Sequence, residues 1–461
     1  LMNALIQRFQ PLFATIRQAG GAPLIVGGAV RDYLLGLEPK DIDIEVYGLP
    51  ADQLIEALTP FGRVNAVGRS FGVLKLRMAN GEEIDVSLPR RESKAGTGHR
   101  GFIVEPDPDM TPQEAAARRD FTWNALAMNP YGTLLDFFGG AADLKTGIIR
   151  HVSDAFSEDP LRVLRAMQFA ARFDMRMAPE TVELCRSLLV EASTLSIERV
   201  WGEWSKWALK GKRPSAGLRV LRETGWLTLT PELYALVGCP QHAFYHPEGD
   251  VWTHTKYVCD VAAQIAEREQ LNDAQRTALL FAALCHDLGK PATTQPDAQG
   301  QMRSMGHAKA GAPLALTFLR RIGAPHWLGE QIEPLVREHL AHLKLAVTEP
   351  TIRRLAVRLE PSTIAMWGHL LEADHSGRPP LPPGKPATAI IAIARQLGVL
   401  NGPPSPILSG RHLLEHGMTP GPALGAALRE AYQAQLDGVF TTVSEGLEWM
   451  IEHYQPDTDA E

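Results

Sequence analysis

The chain has 461 residues, 21% of them charged and 45% apolar, with a net charge of −7. Such a make-up is that of a water-soluble globular protein too long for one ordinary core, so three or four domains are expected. No apolar run approaches the ~20 residues that span a bilayer. The N-terminal stretch lacks the basic-then-apolar order of a secretory signal, so the expected location is the cytoplasm, with no membrane partner. Cys185, Cys239, Cys259 and Cys285 are scattered without CxxC spacing, which argues against a zinc ribbon or disulfide framework and for buried thiols. The acidity is uneven: residues 1–150 carry −2, residues 151–235 carry +1 and residues 236–461 carry −6. An RNA partner must therefore be met by local basic patches, with salt-sensitive binding.

Residues 2–19 have the spacing of an amphipathic lead-in helix. The apolar run Leu24–Val26 then reads as a strand ending at Gly27-Gly28, and Ala29–Leu35 as the helix that follows. Glycines there let backbone N–H groups approach a phosphate, and a helix N-terminus favours anions. Arg31 lies in that first turn, where a cation is unfavourable unless an anion sits nearby. Next come Asp41 and Asp43, which as strand residues project to one face while Ile42 and Ile44 face the other. Two carboxylates so placed can share divalent cations. The ordered set of strand, Gly-Gly, helix and DxD strand suits a metal-bound nucleoside triphosphate, and it resembles the head of the polymerase-beta-type nucleotidyltransferases.

Apolar alternation at 63–67, 72–78 and 83–88 predicts a mixed sheet with flanking helices over 24–150, an α/β head. Within the last of these strands, Asp85 is a candidate third metal carboxylate, as many polymerase-type heads possess. Arg90, Arg91, Lys94 and Arg100 fall in a Gly-containing loop and form one candidate basic patch. Further on, Arg118-Arg119-Asp120-Phe121-Thr122-Trp123-Asn124 pairs two guanidinium groups with an acid and an amide. That combination can hold triphosphate oxygens and fix a sugar hydroxyl. In Glu158-Asp159-Pro160-Leu161-Arg162-Val163-Leu164-Arg165, Pro160 suits the first turn of a helix and Asp159 can cap it. At 100° per residue Asp159, Arg162 and Arg165 fall within an arc of roughly 120°. An acceptor and a donor on one face can imitate a Watson–Crick edge.

VGGAVRD, DxD, RRDFTxNAL and EDPLRVLRA, in this order between about residues 22 and 235, resemble the class II tRNA nucleotidyltransferases, which include CCA-adding enzymes and bacterial poly(A) polymerases. The resemblance implies that Asp41 and Asp43 hold catalytic Mg2+. It further implies that Gly28 and Arg31 contact the triphosphate, and that Arg119 and Arg165 bind the nucleotide beside Asp120 and Asn124. Asp159 and Arg162 would be the amino-acid template that selects CTP or ATP. The segment 90–101 corresponds to the family's flexible loop, with Arg90 in the active-site wall, and Ser196-Ile197-Glu198-Arg199 resembles a structural motif of the neck. One departure is Gln168, where relatives often carry arginine. Lys206, Lys210, Lys212 and Arg213, near a helix end, are a second basic patch.

Beyond residue 155 the pattern is helical through 376, with Pro/Gly-rich linkers at 377–385 and 401–406 and a helical segment at 407–454. His254, the adjacent pair His286-Asp287 in CHDLGK, and Asp374 supply the N/O ligand set of a divalent-metal phosphohydrolase. This set resembles the HD-domain superfamily, in which some members place second-metal ligands at the intervals of His307 and His339. A divalent transition metal is the expected occupant.

A nucleotidyltransferase head followed by an HD unit resembles the multifunctional CCA proteins, whereas poly(A) polymerases generally lack that unit and carry a basic tail. The expected organisation is a lead-in helix at 1–23, the head at 24–150, a helical neck at 151–235, an HD domain at 236–385 and a helical tail at 386–461. The resemblance implies template-independent addition of CCA to the tRNA 3′ end from CTP and ATP, with an HD phosphatase or phosphodiesterase beside it. CC-only addition, A-only addition and poly(A) synthesis are the alternatives in the same class. An HD phosphohydrolase with a nucleotide-binding head is the alternative from another.

Overall fold

The period-2 pattern around the DxD segment translates directly into burial: Ile42, Ile44 and Val46 are buried, while Asp41, Asp43 and Glu45 alternate with them and stay accessible. The computed structural model describes residues 2–39, 41–65, 72–94 and 102–454. By internal packing the chain divides into two compact units, 1–228 and 229–461. The expected neck boundary at 235 thus lies inside the second unit, because Trp252 N–H donates to Leu236 O and the Arg321 guanidinium pairs with Glu232.

The first unit runs α1 (Met2–Gln18), β1 (Ala22–Val26), α2 (Gly28–Leu34), β2 (Asp43–Tyr47), α3 (Ala51–Leu58), β3 (Gly62–Asn65), β4 (Val73–Met78) and β5 (Glu83–Ser87). There follow β6 (Arg90–Lys94), β7 (Phe102–Pro106), α4 (Pro112–Ala117), β8 (Ala127–Met128) and β9 (Leu134–Leu135). The main sheet has the order β3-β4-β5-β2-β1-β8-β9 and is mixed, with β2 and β5 parallel and the other neighbours antiparallel. β1 sits centrally with four successive buried residues, as a strand covered on both faces requires. Gly27 turns the chain from β1 into α2 with φ of 68°, a left-handed conformation that favours glycine.

The loop expected at 90–101 needs correction in its first part. Arg90–Lys94 is a strand, paired antiparallel with Phe102–Pro106 in a separate ribbon. Its residues show no apolar alternation, because a two-stranded ribbon held by backbone hydrogen bonds needs none. Arg100 lies outside the described residues.

The helical part of this unit comprises α5 (Gly140–Thr146), α6 (Arg162–Phe173), α7 (Pro179–Ser187), α8 (Ile197–Lys210) and α9 (Pro214–Glu223). α6 packs on α8 and α9. Its approach to α9 is close enough that a Cβ at Gly217 would stand 2.6 Å from Met167 O, so only glycine fits there. A run of rings ties α6 to the segment after α4: Phe121 stacks on Trp123 at 5.2 Å, and Trp123 meets Phe169 edge-on at 5.0 Å.

The second unit is helical: α10 (Pro231–Tyr234), α11 (Val251–Arg268), α12 (Asp273–Cys285), α13 (Lys290–Thr293), α14 (His307–Arg321), α15 (His326–Glu338), α16 (Glu349–Leu359), α17 (Ile364–Ser376) and α18 (Thr388–Gln396). α12 is buried along Thr277–Cys285 and packs on α11, α15 and α17. It is therefore the central helix, apolar on most sides. α18 packs on α16 and α17. α19 (Gly410–Glu415), α20 (Pro422–Leu436) and α21 (Val443–His453) share a small apolar core around Leu408, Phe440 and Met450. Among the described residues no helix is long and apolar enough to cross a membrane.

Candidate active sites

Asp43 opens β2 in register with Asp85 of β5 across the parallel pair, so both carboxylates leave the sheet on the same face. Glu45, two residues on, shares that face and pairs with Arg119 at 3.5 Å. Asp85 holds Lys75 Nζ at 3.0 Å. Asp41 stands in the bend before β2, exposed and outside the cavity wall. Burial raises the Asp43 carboxyl above its usual range; Arg119 pulls it back, while Asp85, Asp41 and Glu45 push it further up. Such a cluster of acids calls for a cation.

These carboxylates border a cavity of about 600 Å³ inside the first unit. Gly27, Gly28 and Arg31 line one side, and Arg90, Arg118, Arg119, Arg162, Arg165 and Arg199 add guanidinium groups. A Cβ at Gly27 would stand 3.0 Å from Arg119 Nη1, so the glycine turn also makes room for that arginine. Buried Asp120 organises the wall. It accepts from Phe121 N–H at 2.8 Å, from Asn124 Nδ2 at 3.1 Å and from Arg165 Nε at 2.8 Å. Asn124 Oδ1 in turn accepts from Arg31 Nη1 at 2.8 Å. Thus the Asp and Asn expected beside a sugar are here bound to the arginines that line the cavity. Although burial opposes it, Arg165 and Asn124 hold the Asp120 carboxyl below its ordinary range. Burial depresses Arg31 and Arg162, although Asp32, held by Arg31 at 2.6 Å, and Asp120 and Asp159 near Arg162 pull the other way.

The EDPLR segment also differs from the expected helix face. α6 starts at Arg162, and Asp159 precedes it in extended backbone. The Asp159 carboxylate accepts from Leu161 N–H at 3.2 Å, so the cap is made by a tight turn rather than on the helix itself. Its other partner is Arg199 of α8, with Nη2 at 2.7 Å from Oδ2. Arg162 donates to the carbonyls of Ala155 and Arg118, both at 2.7 Å. Asp159, Arg162 and Arg165 nonetheless line the same cavity, and Arg199, read from sequence only as part of a structural motif, lines it too. Gln168 is buried within α6 with Oε1 unpartnered and does not line the cavity.

The second constellation lies wholly within 229–461. His254 comes from α11, His286 and Asp287 follow α12, and Asp374 comes from α17. His254 Nε2 is 3.1 Å from Asp374 Oδ1, 3.4 Å from His286 Nε2 and 3.7 Å from Asp287 Oδ2. His307 and His339 join the same cluster: His307 Nε2 is 3.2 Å from Asp287 Oδ1 and 3.2 Å from His339 Nε2. Each ring is pinned through Nδ1, His286 to Ala283 O, His307 to Ser304 O, His339 to Val336 O and His254 to Glu248 Oε1. An Nδ1–H so engaged leaves Nε2 as the inward-facing donor, the arrangement in which imidazole binds metals. Potential ligand atoms of His254, His286 and Asp287 lie within 4.8 Å of one another, and so do those of Asp287, His307 and His339. Asp287 is common to both groups.

Sequence reading passed over three residues of this centre. Glu248, whose side chain is buried, receives both His246 and His254 through Nδ1 at 2.9 and 2.8 Å. Lys290 Nζ lies 2.7 Å from Asp287 Oδ2. The available signals were HDLGK, which holds Lys290, and His246-Pro247-Glu248 shortly before His254. Burial opposes, but His286 and Lys290 hold the Asp287 carboxyl far below its usual range. Burial would likewise lower His254, yet its contacts with Asp374 and Glu248 lift it to about 9.

Residues 24–150 match the poly A polymerase head domain family, and residues 251–365 match the HD domain family. The class is therefore a polymerase-beta-type nucleotidyltransferase carrying an HD domain. A multifunctional CCA protein of Nitrosococcus oceani is 40% identical over 363 residues, covering 77% of this chain and 84% of that relative. Another, from Chromobacterium violaceum, is 42% identical over 345 residues, covering 74% and 77%. The chain belongs to the multifunctional CCA protein family. In fold it is similar to the crystal structure of the Bacillus stearothermophilus CCA-adding enzyme in complex with CTP, with a TM-score of 0.64 at 23% identity over 96% of this chain and 97% of that one.

Proposed function

We propose that this protein adds C, C and A to the 3′ end of tRNA from CTP and ATP without a nucleic-acid template, and that its HD centre hydrolyses phosphoesters at RNA ends. The observation that carries the first part is the register of Asp43 with Asp85 on the floor of a cavity whose wall is guanidinium-rich. Carboxylates of this kind suit Mg2+, a hard cation that prefers oxygen ligands. Asp43 and Asp85, with Asp41 beside them, would hold it. When bound there, such a cation lowers the pKa of an attacking hydroxyl and offsets the charge of departing pyrophosphate. Arg31, Arg119 and Arg165 bind and orient the triphosphate by charge-assisted hydrogen bonds. Asp159 and Arg162 present an acceptor and donors to the base, and a wrong base leaves them unpaired at a large cost.

The RNA side is supported by a basic cluster at the end of α8. Burial lowers Lys210, and neighbouring Arg172 and Lys206 lower it further. Phosphates passing there relieve that repulsion and are read by shape and charge.

In the HD centre the donor set of imidazole nitrogens and carboxylate oxygens fits a divalent transition metal. His254, His286, Asp287 and Asp374 would hold one ion, and His307 and His339 a second that shares Asp287. Metal bound there polarises a phosphoester toward water. Glu248 fixes the orientation of His254, and Lys290 keeps Asp287 charged.

The deciding experiment incubates tRNA lacking its 3′ CCA with CTP, ATP and magnesium and sequences the products. Termination after C-C-A is expected. Products ending in CC, in one A or in an A tail would reassign the chain within its class. Unchanged tRNA alongside vigorous phosphodiester hydrolysis would make it an HD hydrolase with a nucleotide-binding head.

A further inference from the structure

One face of β2 carries Asp43, Glu45 and Tyr47, in alternation with buried Ile44 and Val46. Asp43 is a proposed metal ligand. Glu45 lines the same cavity but faces other groups. Its Oε1 accepts from the Tyr47 hydroxyl, and its Oε2 lies 3.5 Å from Arg119 Nη2. Burial and Glu45 itself push the Tyr47 phenol up, so that hydroxyl keeps its proton for the carboxylate. Both oxygens of Glu45 therefore meet donors, and the donor that lines the cavity with it is a guanidinium.

Arg119 reaches this acid from the glycine turn: a Cβ at Gly27 would stand 3.0 Å from Arg119 Nη1, so the guanidinium spans the space between that turn and Glu45. Other acids grip the arginines of this wall closely. Asp120 takes Arg165 at 2.8 Å, Asp159 takes Arg199 at 2.7 Å and Glu158 takes Arg118 at 2.8 Å. Charge-assisted hydrogen bonds normally close to about 2.8 Å. At 3.5 Å the Glu45–Arg119 pair has not closed, although the two side chains are only 12% and 28% exposed and water screens them little. Among these pairs it is the loosely held one.

We infer that Glu45 is a displaceable anion: it holds Arg119 at the cavity wall between additions, yields it to the incoming triphosphate and takes it back as pyrophosphate leaves. Arg119 then has an anionic partner throughout the cycle, so its charge is never left uncompensated beside the other arginines. The cost of parting the pair is subtracted from what Arg119 contributes to triphosphate or pyrophosphate binding. Glu45 thus loosens the grip on a product that must leave after every addition. The inference rests on the nucleotidyltransferase reading of this cavity, and the test separates the two.

Binding of inorganic pyrophosphate with magnesium to the full-length protein is measured by calorimetry, beside steady-state incorporation of CTP into tRNA lacking its 3′ CCA. Glu45→Gln, close in shape and uncharged, should tighten pyrophosphate by about fivefold, the worth of one partly exposed ion pair, and should lower KM for CTP in proportion. Tyr47→Phe, which releases Glu45 Oε1, should move both in the same direction by a smaller factor. In an Arg119→Ala background Glu45→Gln should leave pyrophosphate binding where Arg119→Ala has put it, because the acid then has no cation to withhold. If Glu45→Gln weakens pyrophosphate binding or leaves it unchanged, the exchange is overturned and Glu45 is a metal ligand or a plain support. If the tightening persists without Arg119, Glu45 acts only as a charge near Asp43, and the exchange is again overturned. If the unaltered protein incorporates neither CTP nor ATP, the nucleotidyltransferase reading itself fails, whatever the variants bind.

Discussion

On the proposed reading the two centres solve the same problem, holding divalent charge near a phosphate, in opposite ways. In the head the carboxylates stand on a sheet face open to a cavity, and the Asp85 side chain is 43% exposed with Lys75 as partner. In the HD centre His254 and His286 are fully buried, Asp287 nearly so, and each histidine is pinned by a second hydrogen bond. A site that must admit a new triphosphate and release pyrophosphate at each addition benefits from accessible oxygen ligands and a reserve of arginines. A centre that keeps its metal, as proposed for the HD residues, benefits from side chains locked by their surroundings, because pre-organisation leaves little to be ordered when metal binds.

The sharpest way to break this comparison is to remove one centre and read the other. Asp43→Ala or Asp41→Ala should lower nucleotide incorporation by about 10³-fold or more, as loss of a charge-stabilising group does, with HD hydrolysis retained; loss of both would contradict two separate sites. Conversely, His286→Ala should abolish hydrolysis and the bound metal measured by elemental analysis, with CCA addition retained. Glu248→Gln tests the pinning: metal affinity, measured by competition with a chelator, should fall roughly 10–100-fold with the ligands themselves intact. In the head, Arg199→Ala frees Asp159, and the preference for CTP and ATP over UTP and GTP should change by about tenfold in single-turnover incorporation. The smallest effect is expected at Gln168. Replacing it by Met removes a buried unpartnered oxygen and should raise stability by about 1 kcal/mol in denaturant unfolding, with incorporation unaltered because the residue does not line the cavity.

Much of this architecture is legible along the chain because it is periodic. The buried Ile42, Ile44 and Val46 follow from alternation, and the helical reading beyond residue 155 holds at α12, whose stretch Ala278–Cys285 is apolar throughout. The local order of glycines, aspartates and arginines likewise pointed to phosphate chemistry, since each residue type carries that chemistry wherever it stands. Strand Arg90–Lys94 escaped because polar residues on a backbone-paired ribbon leave no periodic mark. The displaced start of α6 escaped because Asp159 can cap either on the helix or through a turn, and one-dimensional spacing does not distinguish them.

What tertiary structure alone decided is partnership. Asp43 meets Asp85 because β2 and β5 are neighbours, although 42 positions separate them. Asp159 pairs with Arg199 rather than with the arginines of its own motif, and Asp120 and Asn124, both on the cavity wall, hold Arg165 and Arg31. His307 and His339, ambiguous as isolated histidines, become two imidazoles whose Nε2 atoms stand 3.2 and 3.9 Å from the Asp287 carboxylate. By itself the sequence determined which chemical groups and which regular elements this protein possesses, because both are local. Which group faces which, and hence which acids cluster together and which anchor a guanidinium, was set by packing, because only the closed core brings distant residues within hydrogen-bonding distance.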